Sequence, residues 1–316
     1  MAINTLAYAE IFQKQLDAQI AAKATTGWME ANAGQVIYNG GNTVKIPKIS
    51  LVGLGNYNRD DGFPQGSVTL DYETKTMTMD RGRTFQLDAM DVNETNFVAS
   101  AGTVMGEFQR LMVVPEIDAY RYSTIYKAAS DASHVRADYT PDASTILEAL
   151  EEDIAKVEDV CGENMPLIIT MNIQCRSVLN QAKDIQRYID VAFSPAGGIT
   201  TKVKRFNGIP IIAPPSSVMK SAYDFDAGAS TTAGGFKAKA DAVQVNWIIM
   251  LQNAPIAVSK TEKVRIFAPD TNQKADAWKI DYRKYHDLWI PDNKLAGIYA
   301  CAQKAAGQEE DDGDGA

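Results

Sequence analysis

DRGRTFQLDAMDVNETNFVASAGTVMGEFQRLMVVPEIDAYRYSTIYKAA, residues 80–129, holds the longest continuous pattern in the chain. It opens as a strand with Phe85 and Leu87 on one face and turns at residues 91–95. Apolar residues then recur at Phe97, Ala101, Val104, Phe108, Leu111 and Pro115, in steps of four and three, which is one stripe along a helix. Val98, Met105 and Met112 widen that stripe. Taken as one rod, residues 96–129 would measure on the order of 50 Å at 1.5 Å per residue. A compact globule of this chain length has a radius of gyration of roughly 20 Å. Such a helix crosses the whole molecule and predicts a flat plate built along a spine. Pro115 interrupts the pattern, because an interior proline removes a hydrogen bond and costs about 3 kcal/mol. Either a kink or two consecutive helices can answer it.

Upstream, residues 4–23 read as an amphipathic helix that Asn4 or Thr5 can cap, with Leu6, Ala9, Phe12, Leu16 and Ile20 at helical spacing. It can dock on its own core or lie as an arm on a neighbouring subunit. TVKIP, residues 43–47, alternates Val44 and Ile46 inward as a short strand. The segment 49–66 then combines four glycines and a proline with Ile49, Leu51, Val52, Leu54, Tyr57 and Phe63. Glycine and proline at that density prevent a long regular element, yet the apolar side chains still need cover. Val68, Leu70 and Tyr72 alternate again. The two extended arms predict a long β excursion over about 49–83. A lone two-stranded ribbon is marginal in water, so contact with another copy of the chain is its natural support.

Downstream, Asp142 or Ser144 can cap a helix with Ile146, Leu150, Ile154 and Val157 on its apolar face, ended by Gly162. MPLIITM, residues 165–171, is a strand buried on both faces, and Asn172 caps a helix running to about Tyr188. Asn207-Gly208 turns a hairpin within residues 200–215, residues 226–235 form a surface loop, and residues 246–251 form another buried strand. Residues 255–302 are strand-rich, with Trp278, Ile280 and Tyr282 on one core face. The tail 307–316 has nothing to bury and is expected to be disordered.

Bulk properties exclude several classes. The chain is 45% hydrophobic and 22% charged, as soluble globular proteins are, and its 316 residues allow two domains. No apolar run approaches the ~18 residues of a membrane helix, and the start has no secretory pattern. Three scattered cysteines, Cys161, Cys175 and Cys301, suit a reducing compartment. The net charge is −9, of which Glu309, Glu310, Asp311, Asp312 and Asp314 carry five. That balance argues against tight direct binding to nucleic acid.

No catalytic constellation emerges. His134 and His286 lie far apart without partners at metal-ligand spacing, and a structural hydrogen bond is the simpler role for His286. Gly53-x-Gly55 lacks the rest of a dinucleotide fingerprint. Residues 56–62 approach a calcium loop, but Gly62 falls one position late and Ser67 stands where a glutamate is needed. Glu116 and Asp118 read as ion-pair partners for basic residues such as Arg110 or Arg121. No catalytic residue, cofactor or metal is expected.

In order along the chain, TVKIPKISLVGLGNYNRDDGFPQGSVTLDYETKTMTMDRGRTFQLDAMDVNET (43–95), VVPEIDAYRYSTIYKAA (113–129), RFNGIPIIAPP (205–215) and KVRIFAPDTNQKADAWKIDYRKYHDLWIPDNKLAGIYA (263–300) resemble blocks of tailed-bacteriophage major capsid proteins. The resemblance runs from about Val36 to Ala302. It implies an α+β chain of the Hong Kong 97 type, with an N-terminal arm (1–35) and an acidic disordered tail (303–316). A peripheral domain (36–134 and 254–302) would contain the extended E-loop (about 49–83) and the spine helix (about 94–129), and residues 135–253 would form a mixed α/β axial domain. The implied role is structural: self-assembly through hexamers and pentamers into an icosahedral shell that encloses DNA without sequence-specific binding. Assembly is expected in the bacterial host cytoplasm, the product being the virion capsid, with no membrane partner. Separate scaffolding, portal and decoration proteins are implied partners, since a long N-terminal scaffold-like segment is not expected here. Lys75 lies in the implied E-loop, but cross-linking is not expected. Candidate inter-subunit residues are Leu51, Leu54, Tyr57, Arg59, Asp60, Asp61, Phe63, Arg81, Arg83, Phe12 and Leu16. An encapsulin-type compartment is the alternative within the same fold, and a soluble hydrolase is the alternative from another class.

Overall fold

The computed structural model describes residues 24–38, 42–57, 59–60, 62–88, 105–182, 205–226, 234–272 and 274–304. The expected helix at 4–23 with Phe12 and Leu16, the first part of the spine pattern with Phe97, Val98, Ala101 and Val104, Asp61, and the acidic tail lie outside the described residues.

The first strands are β1 (Ile37–Tyr38), β2 (Thr43–Leu51), β3 (Val68–Thr76), β4 (Met79–Asp88), β5 (Val135–Arg136) and β6 (Leu167–Met171). There follow β7 (Arg205–Phe206), β8 (Ile209–Ile212), β9 (Tyr223–Asp226), β10 (Gly235–Ala238) and β11 (Val245–Leu251). The last three are β12 (Ile256–Phe267), β13 (Ala277–Trp289) and β14 (Ile298–Ala302). The α-helices with complete bounds are α1 (Val114–Asp131), α2 (Ile146–Cys161) and α3 (Ile173–Gln181).

One helical path runs over residues 105–131. It passes through a π-helical segment, Gln109–Val113, directly before α1, and Pro115 sits in the first turn of α1. A proline has no amide to give to the preceding turn, and a wider π turn lets a helix absorb that break without ending. Two separate helices therefore do not form. The π turn also shifts the phase of the pattern. Met105 is buried and Phe108 packs beside it, but Leu111 and Met112, expected on the covered stripe, are 51% and 55% exposed. Beyond the π turn the covered line runs through Val114, Ile117, Arg121, Tyr122 and Ile125.

Two sheets flank this helix. The first, in the order β12-β13-β4, is antiparallel, with Ile280 opposite Phe85 and Tyr282 opposite Arg83. Its covered face meets the helix through Phe108, whose ring stands edge-on to Phe85 and Tyr282 at 4.8 and 5.8 Å. The second sheet has six strands in the order β5-β14-β11-β6-β8-β7. Its middle strands β11 and β6 are buried along their whole length, which explains their unbroken apolar sequence.

Local signals place the elements around the second sheet. Gly162, at φ 87°, ends α2. The Asn172 side chain accepts the Cys175 amide at 2.7 Å and caps α3. Asn207 and Gly208 take φ of 47° and 80° at the tight turn between β7 and β8. The buried Asp153 carboxylate of α2 accepts from Trp247 Nε1 at 3.1 Å and pairs with Arg136 at 2.8 Å, tying α2 to β11 and β5.

Two expected groupings change. Residues 298–302, expected in the peripheral domain, join the six-stranded sheet beside β11. Four of these five residues are buried, and only the middle of a covered sheet gives such a strand cover on both faces. Residues 79–83, expected at the end of the β excursion, already belong to β4 and pair with β13. The chain is pinned there because Met77 is buried and the Thr78 amide and hydroxyl donate to the buried Asp287 carboxylate at 2.8 and 3.0 Å.

Polar groups of α1 join the pieces. Asp118 accepts from the amides of Thr25 and Thr26 at 3.0 and 3.2 Å and from their hydroxyls at 2.8 and 2.5 Å. One turn on, Arg121 donates to the Thr26 carbonyl at 3.1 Å and to Glu30 at 2.6 Å. Asp118 and Arg121 are almost fully buried, so the segment 24–35 is strapped across the helix. Burial alone would raise the Glu30 carboxyl, but Arg121 and Lys284 nearby hold it below its ordinary value. On the same helix, the Tyr120 hydroxyl donates to Asp287 at 2.5 Å, and its ring stands edge-on to His286. Arg110, by contrast, pairs with Glu107 on the surface.

Asp118→Ala strips the acceptor from four donors, two of them fully buried with Thr26, and should lower unfolding free energy by roughly 3 kcal/mol. Chemical denaturation of the purified protein measures this. His286 gives a second expectation. Burial first, then the positive charges of Arg121, Lys284 and Arg81, hold its imidazole well below the ordinary value of 6.5. The unfolded chain takes up a proton below about that pH while the folded chain does not, so acidification favours unfolding. His286→Phe should flatten the stability–pH curve between about pH 6.5 and 5, and an unchanged slope would contradict this.

Candidate assembly surface

The hairpin β2–β3 stands out. Its arms pair antiparallel from Thr43↔Thr76 to Leu51↔Val68. At nine residues per arm and about 3.3 Å per residue it is roughly 30 Å long. Its base is well held. Val44, Ile46 and Met77 pack with Ile256, Val258, Tyr285 and Trp289 of β12 and β13, and the Tyr285 hydroxyl donates to the Met77 carbonyl at 3.0 Å. Lys48 and Asp292 form a half-exposed ion pair at 3.2 Å, which adds little beside that apolar base.

Beyond Pro47 the cover ends. Ile49, Leu51, Val52, Val68 and Leu70 are each more than half exposed, Phe63 is 86% exposed and Leu54 is fully exposed. Tyr57 and Phe63 rest against each other with ring centroids 5.0 Å apart, and neither is covered by the body of the chain. Soluble monomers rarely leave so much contiguous apolar surface in water. The chemistry available here is therefore association: each large apolar side chain removed from water contributes roughly 1.5–3 kcal/mol.

The candidate residues separate by place. Leu51, Leu54, Tyr57, Arg59, Asp60 and Phe63 lie together on the exposed distal part of the hairpin. Arg83 is exposed on β4. Arg81 is mostly covered and engaged within the chain: it pairs with Glu116 at 2.7 Å and donates to the carbonyls of Asp226 and Gly235. A cavity of about 600 Å³ opens beside it, between β4, the helix and the β9–β10 hairpin. Its mixed wall includes Phe85, Phe108, Met112, Glu116, Lys284 and His286. Sequence reading did not find the partners of Arg81, because they lie 35, 145 and 154 residues away along the chain. Among the described residues no cluster of histidine, cysteine and carboxylate side chains could hold a metal ion, and no helix is long and apolar enough to cross a membrane.

No protein-family model and no curated protein matches the sequence. Solved structures do match. The chain is similar to the subunit in the bacteriophage PhiM1 mature capsid at a TM-score of 0.57 and 16% identity, over 84% of this chain and 83% of that one. The capsid of cyanophage P-SCSP1u matches at 0.55 and 11% identity over 85% of both chains. The fold is that of bacteriophage capsid proteins. The virus-like particle from Pyrococcus furiosus shares this capsid fold, at 0.53 and 13% identity over 93% of this chain and 99% of that one. At these identities the likeness is one of architecture, and it is consistent with the α+β chain organised on a long helix.

The hairpin's two regions should respond differently to mutation. Leu54→Ser and Phe63→Ser should leave the unfolding free energy of the isolated subunit within about 0.5 kcal/mol. Val44→Ala and Ile46→Ala at the base should each cost about 1–3 kcal/mol. Equal losses at tip and base, in the same denaturation assay, would mean that the tip is covered within the subunit.

Proposed function

We propose that this chain is a major capsid protein, a structural subunit that assembles through hexamers and pentamers into an icosahedral shell enclosing phage DNA. The observation that carries the reading is the β2–β3 hairpin: a rigidly based arm with an uncovered apolar end, on a chain with the capsid fold. In this reading the hairpin is the E-loop and reaches over an adjacent subunit. Leu51, Leu54, Tyr57 and Phe63 supply apolar area there, while Arg59, Asp60, Asp61 and Arg83 set register. Residues 1–23, with Phe12 and Leu16, act as an arm toward a neighbour, and the rest of the expected arm, residues 24–35, is held on the subunit's own spine helix. Residues 36–134 and 254–297 form the peripheral domain and 135–253, with β14 in their sheet, the axial domain. Many individually weak contacts, repeated around a closed shell, add to a strong assembly.

The role is structural and not catalytic, and a mildly acidic body limits sticking to a polyanionic content. Separate scaffolding, portal and decoration proteins would complete the particle in the host cytoplasm. An encapsulin-type compartment is the second reading, favoured by the likeness to the Pyrococcus furiosus virus-like particle.

Electron microscopy of the purified protein should show closed shells or capsomers, and a strictly monomeric species at high concentration would sink both readings. Nucleic acid inside native particles selects the capsid, and cargo protein selects the compartment. Deleting residues 52–66 should leave a folded, soluble subunit by circular dichroism and abolish shells; loss of the subunit fold would contradict the arm reading.

A further inference from the structure

Arg81 uses three guanidinium nitrogens on three different targets. Nε donates to Glu116 at 2.7 Å, Nη1 to the Asp226 carbonyl at 2.8 Å and Nη2 to the Gly235 carbonyl at 3.1 Å. Asp226 and Gly235 face each other as a cross-strand pair of the β9–β10 hairpin, which pairs with no other strand among the described residues. At the opposite end of its register, Ala238 faces Tyr223, and Tyr223 and Phe236 belong to the core around the six-stranded sheet. Arg81 thus grips the hairpin at the end opposite that pairing and ties it to β4 and to the spine helix at once.

The grip lands at a particular point on that helix. Glu116 stands next to Pro115, in the first turn after the π segment. A π segment is where a helix most readily changes twist or bends. Gln109 within it is 2% exposed, and among the described residues neither polar atom of its side-chain amide has a hydrogen-bond partner, so this turn carries buried polar groups that its present geometry leaves unsatisfied. The cavity of about 600 Å³ beside Arg81 leaves room for the hairpin and helix to move relative to each other. Tyr120, stacked edge-on to Phe225 at 5.7 Å, is a direct contact between helix and hairpin.

We propose that Arg81 is a latch that fixes the angle between the spine helix and the β9–β10 hairpin, and thereby the curvature each subunit imposes on its shell. The effect on particles rests on the shell-subunit reading; the effect on the angle does not. Lysine keeps the charge but cannot present three donors in one plane, so Arg81→Lys tests the fork itself. Hydrogen exchange on the unassembled full-length subunit should show amides of residues 223–226 and 235–238 exchanging at least tenfold faster in Arg81→Lys, with the six-stranded sheet unchanged. Electron microscopy of assembled Arg81→Lys should show a broader spread of diameters than wild type. Glu116→Gln, a milder change that keeps a hydrogen-bond acceptor, should move both readouts in the same direction and serves if Arg81→Lys fails to fold. Unchanged exchange in a folded variant overturns the latch. Faster exchange with unchanged diameters overturns its link to curvature. Absence of particles from the wild type as well refutes the shell reading, while exchange still decides the latch.

Discussion

A carboxylate and a guanidinium one turn apart on the spine helix, both almost without contact with water, set the terms for the rest of the molecule. Asp118 must find donors and Arg121 must find acceptors inside the protein, because a buried charge left unpaired costs several kcal/mol. The segment 24–30 supplies both, through the amides and hydroxyls of Thr25 and Thr26, the Thr26 carbonyl and Glu30. That requirement orients the helix and brings the incoming chain across it. From there the 3-10 segment Gly27–Gln35 is held against the start of β12, where Asn32 donates to the Pro255 carbonyl at 2.8 Å.

With the helix oriented, its other polar groups determine how the sheets and the hairpin leave the body. Tyr120 meets Asp287, and Asp287 holds Thr78 at the joint where the β2–β3 hairpin ends and β4 begins. Anchorage of this kind gives an arm a defined direction while leaving its apolar end uncovered by the body of the chain. An apolar tip on a floppy loop would collapse onto the nearest surface. Rooted in Val44, Ile46 and Met77, it is instead presented at a distance from the body. Arg81, in contrast, works inside the chain, held by Glu116 and the carbonyls of Asp226 and Gly235.

Several local features were legible because neighbours in sequence define them. The Asn172 cap, the Asn207-Gly208 turn, the Gly162 stop and the buried strands β6 and β11 follow from capping chemistry, left-handed backbone preference and apolar runs. The hairpin was legible too, since paired arms flanking a glycine-rich apolar segment have few other solutions. Periodicity failed at Leu111 and Met112 because a period of 3.6 assumes a regular helix, and the π turn before Pro115 changes the phase. The expected partner for Glu116 failed for a different reason. Helical spacing favours pairs three or four apart, whereas Glu116 found Arg81 on another element.

The sequence by itself determined the helical run of the spine over residues 105–131, the uncovered hairpin, the Asn172 cap and the Asn207-Gly208 turn. Each of these depends on interactions within a few residues or on one alternating pattern. Only the tertiary structure decided that β14 enters the six-stranded sheet, that Thr25 and Thr26 answer Asp118, and that Arg81 spans to β9 and β10. Those choices satisfy buried polar groups and both faces of a strand with partners far along the chain. No local pattern records such a partner, because what selects it is the cost of leaving a charge or a strand face uncovered after everything else has packed.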